Sequence, residues 1–423
     1  MTLIEKKAFL IGTYGEDQTK ILCLEHLNEL ASLCQTYGFD PIDRATCFLK
    51  KAHPATYIGK GKLEELISRA HALQSDVIVF DDEITPSQQR HLEKGFSLPI
   101  LDRTELILEI FSQHARTKEA KLQVELAQNR YQLPRLKRLW THLSRQKKGG
   151  KGFLKGEGER QIQIDRHLIR RRIAYLQKEI DQVADQRRLK RYARLRSHTP
   201  SFAIIGYTNV GKSTLLNVLT DAKVLVEDRL FATLDTTARH FTLPSHQSIV
   251  LIDTVGFIRK LPHALIAAFK STLEELVYTD ILLHLVDINH PLAEEHAKST
   301  YLILRELNVL DKPIITILNK VDLLEDKNRI NLFKLKYPCV VSLSALHKEG
   351  IDQLVEMMMS CLKNLKKTLH LCIPQSRYDI VSRLMCEGHI IKKEFKENDI
   401  LLTIEIPTYL EHIAQPFIIH TNS

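Results

Sequence analysis

The stretch GYTNVGKST, Gly206 to Thr214, constrains this chain more than any other: it has the form G-x-x-x-x-G-K-[ST] and lies between the apolar run FAII and the helix-like LLNVLT. A loop of that pattern between a strand and a helix curls its backbone so that N–H groups point inward at phosphate oxygens. Gly206 and Gly211 permit the curl, and Tyr207, Thr208, Asn209 and Val210 supply its backbone. Lys212 reaches the β and γ phosphates, the Ser213 hydroxyl is a Mg²⁺ ligand, and Thr214 follows into the helix. The alternative is an ordinary Gly-containing turn. The sequence downstream decides between the two.

Four apolar runs follow: SIVLID from Ser248, ILLHLVD from Ile281, PIITILN from Pro313 and CVVSLSA from Cys339. Each is apolar on both faces and separated from the next by a helical stretch, as a doubly wound α/β sheet requires. Ligand chemistry belongs at the carboxyl ends of such strands, and the remaining polar motifs fall there. DTVG ends the first run, so that Asp253 holds Mg²⁺ through a water and Gly256 offers a backbone N–H to the γ phosphate. NKVD ends the third. The Asp322 carboxylate accepts from the N1–H and exocyclic amine of guanine, an edge adenine lacks, while Asn319 and Lys320 stand beside it to hold the loop and meet the base. SAL ends the fourth, where Ser344, Ala345 and Leu346 bring a backbone N–H to guanine O6. DTVG and SAL are common strings singly; in this order, with the phosphate loop and NKVD, they specify a GTPase domain.

From about Phe202 to Leu365 the chain resembles the translation-factor-related branch of P-loop GTPases. Within DRLFATLDTTARH, Asp228 to His240, the candidates for a second Mg²⁺ hydroxyl are Thr233, Thr236 and Thr237. Likeness to the FATL and FTTL strings of related GTPases selects Thr233, with Thr237 next. Asn209 resembles the asparagine that binds K⁺ in some relatives; the alternative is hydrogen bonding within the loop. Position 257 is Phe, where signalling GTPases place a glutamine that orients the attacking water. Turnover of the isolated protein is therefore expected to be slow, and outside completion of the site is worth on the order of 10³ to 10⁵ in rate.

The net charge of +9 is concentrated: Lys137 to Arg196 holds 19 Lys and Arg against 6 Asp and Glu, an excess larger than that of the whole chain. A charge run is commonly a solvated helix face, but one this localised points to a polyanion. Within it, RQKKGGKGFLKGEGER, Arg145 to Arg160, reads as a flexible loop, and Ile169, Ile173, Leu176, Ile180 and Val183 form a heptad seam. With the helical stretch at about 106 to 138, this makes a helical hairpin with a basic tip. Tyr131 and Trp140 flank the tip as candidate stacking groups for RNA. The other reading is a structural helix pair with a disordered connector.

Residues 1 to 105 alternate strand-like AFLIGTY and DVIVFDD with helix-like segments, as in βα units on a small parallel sheet. Leu24, Leu27, Leu30, Ala31 and Cys34 mark a core stripe, and Thr85 with Pro86 marks a helix start. Gly59, Lys60, Gly61 and Lys62 precede a helix, either as a turn or as a phosphate contact. The seven cysteines are scattered and lack a C-x-x-C pair, which indicates reduced thiols. No apolar run reaches the roughly 18 residues of a membrane span, and the start is no secretory signal, so a cytoplasmic protein without membrane insertion is expected.

The whole chain resembles the HflX family of ribosome-associated GTPases. ATYIGKGKLEEL, DDEITPSQQRHLEK, LDRTELILEIF, ARTKEAKLQVELAQNRYQLPRL and FATLD followed by DTVGFIRKLPH carry the resemblance. It implies four units: an N-terminal α/β domain (1–105), a helical hairpin (106–197), a Ras-like P-loop GTPase domain (198–365) and a small C-terminal α/β domain (366–423). It further implies binding to the large ribosomal subunit and its RNA and splitting of stalled or idle ribosomes in a GTP-dependent way; a monomer is expected. One departure stands out. The family's glycine-rich loop reads close to R-G-P-G-E-x-Q-L-E-x-D-R-R, whereas this chain has KGEGERQIQIDRH, with Lys155, Glu157, Gln163, Ile164 and His167 drifting. A GTP-dependent RNA-binding assembly adaptor is the alternative function. A tRNA-modifying GTPase lacks a reactive C-terminal cysteine motif, and a plain regulatory GTPase fits neither Phe257 nor the hairpin.

Overall fold

The computed structural model describes residues 6–136, 155–196, 199–220, 230–231, 237–260, 275–364, 366–396, 398–407 and 410–419. The first unit is built from β1 (Lys6–Tyr14), α1 (Lys20–Tyr37), β2 (Phe39–Phe48), α2 (Lys60–Ala72), β3 (Val77–Phe80), α3 (Pro86–Phe96), β4 (Ile100–Asp102) and α4 (Arg103–His114). Its sheet is wholly parallel in the order β2-β1-β3-β4. Thr19 caps α1 by accepting the Leu22 N–H, and Gly38, at φ +98°, ends it in the left-handed conformation that glycine adopts without strain. Thr85 and Gln88 close a capping box at α3, with Pro86 at its first position.

Three details of this unit differ from the sequence reading. Leu24 is exposed, and Cys23 takes its place in the buried stripe with Leu27, Leu30 and Cys34. The strand β2 was not anticipated because it is polar and contains Pro41. Both features suit an edge strand, which has only one paired side. The single helical stretch of 106 to 138 is in fact divided: α4 packs on α1, and a new helix α5 (Lys118–Gln132) starts at the Thr117 cap.

Helix α6 (Lys155–Arg196) lies along α5. The ion pairs Lys118–Glu179 and Glu125–Arg172 set the two antiparallel. Leu176 and Ile180 are buried against Leu126, with Ile173 and Leu122 at the margin, which is the seam the heptad spacing marks. Lys155 to Arg160 belong to the helix rather than to the loop expected for them. Extending a helix already fixed downstream costs little, even through Gly156 and Gly158. Tyr131 is not a stacking group for RNA: it is buried, its hydroxyl donates to Asp102 at 2.9 Å, and the Arg135 guanidinium covers its ring at 3.6 Å. Trp140 and the tip from Arg145 to Leu154 lie outside the described residues.

The GTPase unit comprises β5 (Ser201–Gly206), α7 (Lys212–Thr220), β6 (Thr237–Thr242), β7 (Ser248–Asp253), β8 (Ile281–Asp287), α8 (Ala293–Glu306), β9 (Ile314–Asn319), α9 (Asn328–Lys336), β10 (Val340–Ser342) and α10 (Ile351–Asn364). Its sheet runs β10-β9-β8-β5-β7-β6, parallel except for β6. β6, half-exposed at the edge, carries no apolar run by which it could be read. The last unit has β11 (Lys366–Pro374), α11 (Tyr378–Glu387), β12 (His389–Lys396) and β13 (Asp399–Pro407) in an antiparallel sheet ordered β11-β13-β12.

The first and third units share one hydrophobic core. Leu27, Leu30 and Phe111 belong to the same buried cluster as Phe202, Ile205 and Phe257, and the rings of Phe111 and Phe231 meet at 4.5 Å.

Candidate nucleotide site

β5 ends at Gly206 and α7 begins at Lys212, so the loop between them sits at the carboxyl edge of the sheet, between β8 and β7. A Cβ at Gly206 would collide with the Leu285 carbonyl of β8, and one at Gly211, whose φ is +92°, with the Asn319 amide. Both positions therefore admit only glycine. The Lys212 ammonium donates to the carbonyls of Tyr207 at 2.6 Å and Gly206 at 3.3 Å. Burial pushes its pKa down to about 8 against the opposing pull of Asp253.

Ser213 Oγ donates to Asp253 Oδ2 at 2.8 Å, which joins the phosphate loop to DTVG. Two converging hard oxygens are the donor set Mg²⁺ prefers. Thr237 lies opposite Asp253 in the β6–β7 ladder, its hydroxyl buried without a partner among the described residues. Thr233, the first choice for the second hydroxyl, lies outside the described residues. Gly256 approaches the loop so closely that a Cβ there would stand 2.8 Å from Lys212 Nζ.

Phe257 is clipped to the loop by its backbone. Its N–H donates to Gly206 O at 3.0 Å, and its carbonyl accepts the Thr208 N–H at 2.8 Å. The ring is buried in the shared core. Position 257 thus presents main chain, and no side-chain amide, to the nucleotide side.

At the base end Asn319 spans two motifs. Its Nδ2 donates to Val210 O at 2.7 Å and its Oδ1 accepts the Ala345 N–H at 3.0 Å. Lys320, at φ +63°, pairs with Asp287 at 2.8 Å. Asp322 lies 3.7 Å from His347 Nε2, Ser344 is buried, and Leu346 is exposed at the rim. The residues Gly206 to Thr214, Asp253, Gly256, Asn319 and Ser344 to Leu346 thus converge on one sheet edge from four chain segments.

The sequence reading missed a buried polar cluster beneath this site. Arg103 of α4 bonds Glu29 of α1 at 2.6 Å and Asp81 at 2.9 Å, and its Nε donates to the Arg259 carbonyl at 3.1 Å. Arg259, just past DTVG, bonds Asp81 at 2.7 Å. The Tyr207 hydroxyl donates to Glu29 and accepts the Arg259 N–H at 2.6 Å. Burial alone would raise the Glu29 carboxyl, but Arg103, the Tyr207 hydroxyl and Arg259 outweigh it and hold its pKa low. The one sequence cue was a charge inside an apolar helix, Arg103 ahead of LILEIF.

Comparison with known proteins places the chain among GTP-binding GTPases. Three family models match in succession: a GTP-binding GTPase N-terminal region over residues 24–112, a GTP-binding GTPase middle region over 114–194, and a 50S ribosome-binding GTPase over 201–320. The GTPase HflX of Chlamydia pneumoniae is 46% identical over 417 residues, covering 97% of this chain and 88% of its own. That of Escherichia coli is 40% identical over 384 residues, covering 90% and 89%. Among solved structures, a GTP-binding protein from Sulfolobus solfataricus in complex with GDP covers 85% of this chain and 99% of its own at 26% identity and a TM-score of 0.44.

Proposed function

The chain belongs to the HflX family of GTPases and hydrolyses GTP to GDP and phosphate; we propose that it does so on the large ribosomal subunit, bound through its RNA, and that the cycle splits stalled or idle ribosomes. The observation that carries this reading is the long helix α6, whose narrow apolar seam packs on α5 while Arg170 and Arg171 stay exposed. Such a surface attracts a polyanion and leads directly into the basic tip. A match to a 50S ribosome-binding GTPase model over residues 201–320 supports the same partner.

In this reading the four units, 1–105, 106–197, 198–365 and 366–423, divide the work: the hairpin engages RNA and the GTPase unit times the engagement. The protein acts as a cytoplasmic monomer. Among the described residues no helix is long and apolar enough to cross a membrane. Ser213 and Asp253, with Thr233, would hold Mg²⁺. An ion held there would supply neutralisation of phosphate charge. Asn209 in turn would be a ligand for K⁺.

Lys212 meets the β and γ phosphates, and its lowered pKa returns upward as they approach. The Gly256 N–H meets the γ phosphate, and Asp322, with Lys320 alongside, selects guanine. Because Phe257 turns only main chain toward the site, orientation of the attacking water falls to the ribosome. The test is GTP turnover with and without purified large subunits, followed by sedimentation of intact ribosomes under GTP and a non-hydrolysable analogue. Stimulation of about 10³-fold or more together with subunit separation is expected. Unchanged turnover would overturn the reading, and stimulation without separation would leave the assembly adaptor.

A further inference from the structure

The second residue of the phosphate loop is tied to three other parts of the molecule. The Tyr207 ring stacks on His296 of α8, centroids 3.7 Å apart and planes within 5°. Its hydroxyl accepts the Arg259 N–H at 2.6 Å and donates to Glu29. Its carbonyl receives the Lys212 ammonium at 2.6 Å. The direction of both hydroxyl bonds is forced. An amide N–H can only donate, so the tyrosine proton must go to the carboxylate.

Gly256 directly precedes a segment fixed at two points. The main-chain bonds of Phe257 to Gly206 and Thr208 form the first, and the Tyr207 hydroxyl on the Arg259 N–H forms the second. Between them Ile258 is buried and leaves no slack. The hydroxyl is itself held, because Arg103 anchors Glu29 from the far side at 2.6 Å.

We propose that the Tyr207 hydroxyl is a positioning group for GTP hydrolysis: it fixes the segment after DTVG against the phosphate loop and so sets where the Gly256 N–H stands relative to Lys212. A carboxylate of the N-terminal unit, Glu29, thereby orients a residue of the GTPase site. The inference rests on Gly256 as the γ-phosphate contact. A displacement of about 1 Å at such a contact costs up to about 100-fold in rate.

The full-length protein and its Tyr207→Phe, Glu29→Gln and Gly256→Ala variants test the inference, with GDP-binding stoichiometry used to normalise for folded protein. Y207F keeps the ring on His296 and loses the hydroxyl. Its kcat is expected to fall about tenfold, with KM for GTP rising and affinity for a non-hydrolysable GTP analogue falling in step while GDP affinity is kept. E29Q turns one of the two acceptor oxygens, which take the Tyr207 hydroxyl and the Arg103 guanidinium, into a donor, and should lower kcat in the same sense as Y207F; parental kcat in E29Q would remove Glu29 from the chain of contacts. Parental kcat in Y207F, or an equal loss of GDP and analogue affinity, would overturn the proposal and leave the hydroxyl a packing group. G256A separates the premise from the inference: if it fails to lose analogue affinity relative to GDP, the γ-phosphate role of Gly256 fails first.

Discussion

Asp322 and Asp81 contrast a carboxylate at the rim of the candidate site with one spent inside the protein. Asp322 sits at the rim near His347, its oxygens available to a guanine edge. Asp322→Asn replaces one acceptor with a donor. Its preference for GTP over xanthosine triphosphate should drop by about 10- to 100-fold, measured as the ratio of kcat/KM values. Burial alone would raise the Asp81 carboxyl, but Arg103, Arg259 and Lys260 outweigh it and hold the pKa down to about 2. The unfolded chain titrates near the ordinary value of 3.8. Asp81 therefore contributes stability that is complete above about pH 4 and is lost as the pH falls through about 2, amounting to about 2 kcal/mol. Asp81→Asn should be less stable at neutral pH and show a flatter acid limb between those values in urea titrations.

Elements whose side chains face a core on both sides announce themselves. β7 and β8 span Ser248–Asp253 and Ile281–Asp287, the limits their apolar runs mark. β2 and β6 do not, because an edge strand is held by backbone pairing that leaves little trace in side-chain pattern. The same physics explains the seam of α5 and α6, where apolar residues at heptad spacing, with the Lys118–Glu179 and Glu125–Arg172 ion pairs, hold α6 on α5. Because this seam is narrow, its loss opens the pair without unfolding the domains. Leu176→Ala should cost about 2 to 4 kcal/mol locally, read as faster amide exchange across residues 163–183 while the protection of β5 and β8 is kept.

Across the whole molecule, three contacts join α1, α4 and the turn after β3 to the GTPase unit: Glu29 meets Tyr207 of the loop, Phe111 meets Phe231, and Asp81 meets Arg259 beyond Gly256. In the proposed function the basic tip contacts RNA. Neutralising Lys147, Lys148, Lys151 and Lys155 together should weaken binding to large subunits and lower the slope of log affinity against log salt by up to about 3. Cosedimentation across a salt series measures both, and an unchanged slope would remove these lysines from the interface. The nucleotide site was legible in the sequence because its chemistry is carried by short contiguous strings, Gly206 to Thr214, DTVG, NKVD and SAL, each confined to one strand end. The heptad seam and the concentration of charge were legible for the same local reason. What only the tertiary structure decided is where Tyr131, Phe257, Arg103 and Glu29 point. A buried tyrosine and an RNA-stacking tyrosine are the same letter, and a salt bridge between residues 74 positions apart leaves no periodicity. Partners of that kind are chosen by the packing of α1 and α4 against the GTPase core, a property of the assembled units that no single stretch of chain contains.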